Sequence, residues 1–332
     1  MKLQANKMPE IVRIELSSSC NLRCPQCRHN RPGKDKKNAI DAEMSREQVN
    51  QIIDEIAPYN PSVTLNVGNE PLIAKNFKEC AKRVKEKGLA ATFNTNGIAM
   101  TEEIAHFLMD IQFDSITFSI DAFTPQTLKK VRGIDSLDKS IEKVDMMLKI
   151  RGDNPFPRIG VSFCEQPANE HELQDFLHYW GKKVDVIRVS GFIYDDNLKL
   201  PEAELPSRIP CKQIFRDMVI RANGDVSPCV VSVVNPEITM GNIFKDGGVA
   251  AVWNSEPLNT WRSLHNIGKW NELSPCNKCD YWVDSCNVQE KIQDGFLIRY
   301  SSSFSAFYNV IDRMKTWNKN LHDRIGHATT DI

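Results

Sequence analysis

The sequence predicts an α/β fold on a parallel sheet, either an incomplete (β/α)6 barrel or a doubly wound sheet, followed by a small α+β cysteine-rich domain and a C-terminal helix. Three observations lead there. Six short β-branched runs alternate with amphipathic stretches between residues 11 and 190, and strands separated by helices build parallel βα units. Pro201, Pro206 and Pro210 then break the rhythm. Beyond them, hairpin and cysteine signals replace the alternation.

The strands are expected at residues 11–16, 62–67, 89–94, 114–120, 158–164 and 184–190. The helices between them fall at 45–57, 76–87, 101–111, 137–151 and 170–182, several opening on a capping Ser, Thr or Asn. In such folds chemistry sits where strands end and βα loops begin. A new unit starts near residue 201, where runs 215–222 and 225–230 flank Asn223-Gly224, a favoured hairpin pair. It continues through Met240-Gly241-Asn242-Ile243, a helix over 249–265 and a cysteine loop at 276–286. Phe304, Phe307, Ile311, Met314, Trp317 and Leu321 follow at helical spacing, a stripe that packs on the protein's own body or on a second copy. The expected division is therefore 1–200, 201–290 and a helical extension over 291–332.

Across 332 residues, 42 Lys+Arg stand against 43 Asp+Glu, giving a net charge of -1. That balance lacks the basic footprint of a nucleic-acid or membrane-surface binder, so neither partner is expected. No signal peptide and no bilayer-length apolar run is present, so a cytoplasmic location is expected. Ten cysteines in a reducing compartment favour metal or iron-sulfur ligation over disulfides.

The first strand leads into Ser17-Ser18-Ser19-Cys20-Asn21-Leu22-Arg23-Cys24-Pro25-Gln26-Cys27. Three thiolates at C-x3-C-x2-C, Cys20, Cys24 and Cys27, can hold three irons of a cubic cluster and leave the fourth open for chemistry. The alternative is a zinc knuckle completed by His29. The pattern resembles the signature of the radical S-adenosylmethionine (SAM) superfamily. That resemblance implies a partial (β/α)6 barrel, a [4Fe-4S] cluster and SAM chelated to its open iron. It also implies one-electron cleavage of the sulfonium, giving methionine and a 5'-deoxyadenosyl radical that abstracts a substrate hydrogen. Gly68-Asn69-Glu70-Pro71 is similar to the family's Gly-Gly-Glu-Pro, which receives the SAM amino group, with Asn69 as the departure. Thr95-Asn96-Gly97 and Ser119-Ile120-Asp121 resemble its TNG and S-x-D, so that Asn96, Ser119 and Asp121 are expected near the SAM ribose. Arg132, before Gly133, matches an arginine that meets the SAM carboxylate. Read without the family, Glu70 is a solvated carboxylate at a strand end and Arg132 a surface arginine.

Cys211, Cys229, Cys276 and Cys279, with Cys286 beyond, are enough for one closed four-thiolate site, holding zinc or an iron-sulfur cluster on spacing alone. The set resembles the twitch domain, the shortened form of the SPASM domain, and so implies one auxiliary [4Fe-4S] cluster; Cys286 could replace Cys279 as a ligand. Cys80 shares a helical face with Phe77 and Val84 and belongs to the core. Cys164 ends the fifth strand, near the expected barrel mouth. Glu165, Tyr194 and Asp195 are pocket candidates without a motif.

The resemblance implies an enzyme acting on a C–H bond of a small polar, sugar- or aminocyclitol-like substrate, with a reductant such as flavodoxin or ferredoxin. The outcome is oxidation, or epimerisation with Cys286, or failing that Cys164, returning a hydrogen atom. A peptide-modifying maturase is one alternative, weakened by the roughly ten residues before strand one where such enzymes often carry a leader-binding domain. A non-catalytic iron-sulfur or zinc electron carrier is the other, but it has no use for an open iron.

Overall fold

The computed structural model describes residues 2–27, 42–192, 207–285, 289–301 and 305–314. Six parallel strands, β1 (Ile11–Ile14), β2 (Ser62–Thr64), β3 (Ala90–Thr95), β4 (Ser115–Ser119), β5 (Arg158–Glu165) and β6 (Val186–Gly191), lie side by side in chain order. Between them run α1 (Arg46–Ile56), α2 (Phe77–Glu86), α3 (Glu102–Asp110), α4 (Pro125–Arg132), α5 (Leu137–Arg151) and α6 (Leu173–Gly181). Both faces of the strands are covered, as helix crossovers require. In β4, Ile116, Thr117 and Phe118 are all buried. Cys80 of α2 is wholly buried beside Phe77 and Val84, in the core where the helical spacing put it.

The helices begin where side chains satisfy their first amides. Ser45 accepts from Gln48 N while Gln48 reaches back to Ser45 N, a reciprocal cap on α1. Thr101 caps α3 through Ile104 N. Helix α4 escapes the periodicity because only Leu128 and Val131 supply its apolar face. Its ends are nevertheless written plainly, with Thr124 as cap, Pro125 in the first turn and Gly133 left-handed at φ 75°.

After α7 (Gln213–Arg216), β7 (Asp217–Ile220) joins the same sheet, parallel to β1 on the side away from β2. Arg13 ion-pairs with Asp217 at 2.9 Å and Arg216 with Glu10 at 2.7 Å, fixing this register. β8 (Val226–Ser227) returns antiparallel to β7. The turn is wider than a two-residue hairpin: Arg221 N still donates to Asp225 O, and Gly224 N to Arg221 O, both at 2.8 Å. Gly224 sits at φ 89° with the Phe244 ring where a Cβ would be. The helix expected over 249–265 is two helices, α8 (Val249–Trp253) and α9 (Glu256–Asn266), because Pro257 starts a new first turn after Ser255.

The C-terminal helix expected from residue 291 is corrected over the described residues. β9 (Gln289–Gln293), β10 (Phe296–Tyr300) and β11 (Ser305–Val310) form an antiparallel meander, and Ile311–Arg313 is a single 3-10 turn. Phe307, Tyr308 and Val310 are strand formers, and β11 pairs antiparallel with β6, whose edge would otherwise be open. Asn309 locks the pairing by accepting from the buried Arg158 at 2.7 Å. Phe304, Trp317 and Leu321 of the expected stripe lie outside the described residues. The sheet runs β8-β7-β1-β2-β3-β4-β5-β6-β11-β10-β9, so the barrel is partial and open. No helix among the described residues is long and apolar enough to cross a membrane.

Candidate active site

The C-terminal ends of β2 to β6 and the loop after β1 surround one cavity of about 400 Å³. Its lining includes Cys20, Cys24 and Cys27 on one side and Ser162, Cys164, Arg188 and Ser190 on the other. Val230, Val233, Val234 and Tyr281, from the segment after residue 210, close a further wall.

The cysteine loop is held open by its neighbours. Glu70 N donates to Ser19 O at 3.3 Å, Asn96 Nδ2 to Asn21 Oδ1 at 2.8 Å and Gln26 N to Val131 O at 3.4 Å. Burial pushes the Cys24 thiol up to about 11; Arg132 lowers it, while Cys27 and Cys20 raise it further. Cys20 is raised chiefly by burial and also by Glu70 and Cys27. The three sulfurs therefore feel one another, and a cationic centre is needed to keep them as thiolates together. Among the described residues no three His, Cys, Asp or Glu side chains could hold a single metal ion. Three soft thiolates on one loop at the cavity's side suit a cluster, whose ligands bind separate irons.

Six of the seven SAM-side candidates line the cavity: Gly68, Asn69, Glu70, Asn96, Ser119 and Arg132. Glu70 is almost wholly buried, and its carboxylate accepts from Thr95 Oγ1 and Asn96 N at 2.7 Å each and from Leu72 N at 3.2 Å. It clamps the β2 and β3 loops together, so it is not a solvated strand-end carboxylate. Burial raises its pKa, and those hydrogen bonds oppose the rise. Asn69 donates to Ser17 O and bonds the buried Glu15, so the side chain that departs from the family's glycine ties the loops after β1 and β2.

Asp121 is the seventh, and it stands behind the cavity wall. It is buried at φ 63°, with Oδ2 accepting from Gln26 at 2.6 Å and Arg132 Nε at 2.9 Å, and Oδ1 from Cys164 N at 2.8 Å. Arg132 Nη2 also lies 2.8 Å from Oδ2, so Arg132 is a buried ion-pair partner, not a surface arginine. Burial disfavours its charge, but Asp121 and Cys24 together raise its pKa.

Cys164 lines the cavity, with Sγ 4.0 Å from Gly191 O. Burial, aided by Asp121, pushes its thiol up to about 12, so it stays protonated. Cys286, His29, Tyr194 and Asp195 lie outside the described residues, and Glu165 is not part of the lining. Sequence reasoning missed Ser162, Arg188 and Ser190. The signal was the two-residue period of β5 and β6, which puts Ser162 with Cys164 and Arg188 with Ser190 on one face.

The second cysteine set also gathers. Burial first, then Cys229, Cys279 and Cys276, raises Cys211; burial and Cys229 push Cys279 up to about 12. Cys276 is raised by burial, Cys229 and Cys279. Cys229 and Cys279 adjoin the cavity wall through Val230 and Tyr281, and Tyr281 N donates to Cys279 Sγ at 3.4 Å. Arg208 stacks over Trp270 at 4.9 Å and donates to Cys276 O at 2.8 Å, fixing the C-x2-C loop.

Residues 14–178 match the model of the radical SAM superfamily, and residues 211–280 match that of an iron-sulfur cluster-binding domain, SPASM. The chain is 24% identical to a tungsten-containing aldehyde ferredoxin oxidoreductase cofactor-modifying protein of Pyrococcus furiosus, over 82% of this chain and 88% of that one. It is 27% identical to an AdoMet-dependent heme synthase of Methanosarcina barkeri, over 45% of this chain and 41% of that one, so it spans less than half the length of that relative. The crystal structure of BtrN in complex with AdoMet and 2-DOIA superposes with a TM-score of 0.54 at 17% identity, covering 84% of this chain and 94% of that one. This likeness is one of fold.

Proposed function

The chain belongs to the radical SAM superfamily and carries a SPASM-type auxiliary domain; from that premise we propose that it abstracts hydrogen from a C–H bond of a small polar, sugar- or aminocyclitol-like substrate and inverts that carbon. The observation that carries the reading is the placement of a fourth cysteine, Cys164, in the lining of the same cavity as Cys20, Cys24 and Cys27. Those three residues would hold the SAM-side cluster, and Cys211, Cys229, Cys276 and Cys279 the auxiliary one. When bound, cluster and SAM supply the one-electron cleavage that yields the 5'-deoxyadenosyl radical.

Arg132, neutralised by Asp121, would orient the SAM carboxylate, while Asn96 and Ser119 offer hydrogen-bonding groups to the ribose. Glu70 holds the two loops that carry these groups. Walls closed by Val230, Val233 and Val234 keep water from the radical. Cys164 then gives its S–H hydrogen to the substrate carbon: the S–H bond breaks, a C–H bond forms, and the sulfur regains one electron and one proton. The electron comes from a reductant of the flavodoxin or ferredoxin type.

A second reading, oxidation without inversion, is favoured by the contact of the auxiliary loops with the cavity. Turnover of a panel of cyclitols, aminocyclitols and sugars in deuterated water separates the two. Epimerisation places deuterium at the inverted carbon, and Cys164→Ala still forms 5'-deoxyadenosine but loses inversion. Unlabelled product two hydrogens lighter would establish oxidation, and loss of inversion in Cys286→Ala alone would move the donor role to that residue.

A further inference from the structure

One charge in the cavity is left unused by this reading. Strand register places Ser119 of β4 opposite Ser162 of β5, and Ser162 opposite Arg188 of β6. All three line the cavity. The other arginine there, Arg132, is neutralised by Asp121, and the Glu70 carboxylate is taken up by three donors. Arg188 has no carboxylate partner among the described residues. Its Nε is buried without a hydrogen bond, and its guanidinium lies 5.7 Å from the centre of the Phe307 ring.

Arg188 is half-buried, a guanidinium nitrogen buried without an acceptor is costly, and the fork matches the two oxygens of a carboxylate or phosphate. We propose that Arg188 anchors an anionic group of the substrate, a carboxylate or a phosphate, so that the substrate is an acidic or phosphorylated polyol. The proposal rests on the reading that substrate and SAM meet in this cavity. Ser162 stands next to Arg188 in the row and offers a hydroxyl to the same oxygens or to a neighbouring substrate hydroxyl. Cys164 lies two residues further along β5, opposite Ser190. An anion held at Arg188 thus sets the adjoining substrate carbons near the thiol. The SAM carboxylate is the rival anion, but Arg132 stands beside Cys24 of the first cysteine set, whereas Arg188 is on β6, on the far side of the strand order from β1.

The test uses the reconstituted, SAM-saturated enzyme under anaerobic conditions, titrated calorimetrically with inorganic phosphate and, separately, with malonate. The wild type should bind one equivalent of at least one of them, and the tighter arm identifies the anion class. Arg188→Met should weaken that binding about tenfold or more, as expected for loss of a charge-assisted fork. Arg188→Lys, which keeps the charge, should lose less. The dissociation constant for SAM, measured in parallel, should move less than that for the anion. No saturable anion binding by the wild type, or equal binding by wild type and Arg188→Met, would overturn the proposal. So would a fall in SAM affinity as large as that for the anion, which would make Arg188 a SAM ligand. Formation of 5'-deoxyadenosine by the same wild-type sample is scored separately: its absence counts against the radical reading and leaves the anion result standing.

Discussion

The carboxylate of Asp121 receives Arg132, Gln26 and the Cys164 amide at once, from a left-handed backbone that Asp tolerates better than most residues. The S-x-D pattern pointed to this residue as a ribose acceptor. The side chain instead supports Arg132 from behind, a distinction set by three partners that are distant in sequence. Asp121→Asn keeps the shape and removes the charge, leaving Arg132 buried and unpaired. Urea unfolding should show a loss of about 3–5 kcal/mol, the usual consequence of removing one partner of a buried ion pair. SAM affinity should fall with it. An unchanged midpoint would mean that the pair is not buried in solution. Asn69 teaches the same lesson: the sequence marks it as a departure from a glycine, but only the fold brings its amide to Ser17 and Glu15.

Helix α4 delivers Arg132 from its last turn, and its start is fixed by Glu172, which precedes α6. The Glu172 carboxylate accepts from Phe123 N at 2.6 Å, Thr124 N at 3.3 Å and the Thr124 hydroxyl. Burial would raise its pKa, but bonds from Thr124, Phe123 and Thr127 outweigh burial and leave it below the ordinary carboxylate value. A depressed folded pKa adds stability above the unfolded pKa, near 4.3, and that share disappears as pH falls through the folded value. Glu172→Gln should therefore cost about 1.5–3 kcal/mol at neutral pH, the range for hydrogen bonds to a charged group. The gap from wild type should shrink below about pH 4 in acid unfolding followed by circular dichroism. A gap that persists to low pH would show that packing, not charge, is what the substitution removes. Neither α4 nor its tether to Glu172 follows from periodicity, and the helix is absent from those the sequence predicts. At residues 305–310 the opposite happened: aromatic residues at helical spacing became a strand because the free edge of β6 offered backbone partners.

Across the molecule, one open sheet sets the first cysteine set in the lining of a cavity and the second set beside its wall, at Val230 and Tyr281. The first set was legible because its ligands lie within eight consecutive residues, so that spacing alone encodes the chemistry. The second was legible as a count of cysteines but not as a place. Its position depends on β7 pairing with β1 and on the Arg13–Asp217 and Arg216–Glu10 ion pairs, and no local pattern records which edge a distant strand will join. Arg188 was hidden for the same reason, since its meaning comes from a row shared with β4 and β5. In the proposed reading Cys20, Cys24 and Cys27 hold the cluster that cleaves SAM while Cys211, Cys229, Cys276 and Cys279 hold another. Its most direct test is iron content, Mössbauer spectrum and 5'-deoxyadenosine yield of the anaerobically reconstituted chain beside its Cys20→Ala, Cys24→Ala, Cys27→Ala triple variant. About eight irons are expected in the wild type and about four in the variant, as two cubic clusters and then one, with 5'-deoxyadenosine from the wild type only. A triple variant that still makes 5'-deoxyadenosine, or one whose remaining site holds zinc and no iron, would contradict it.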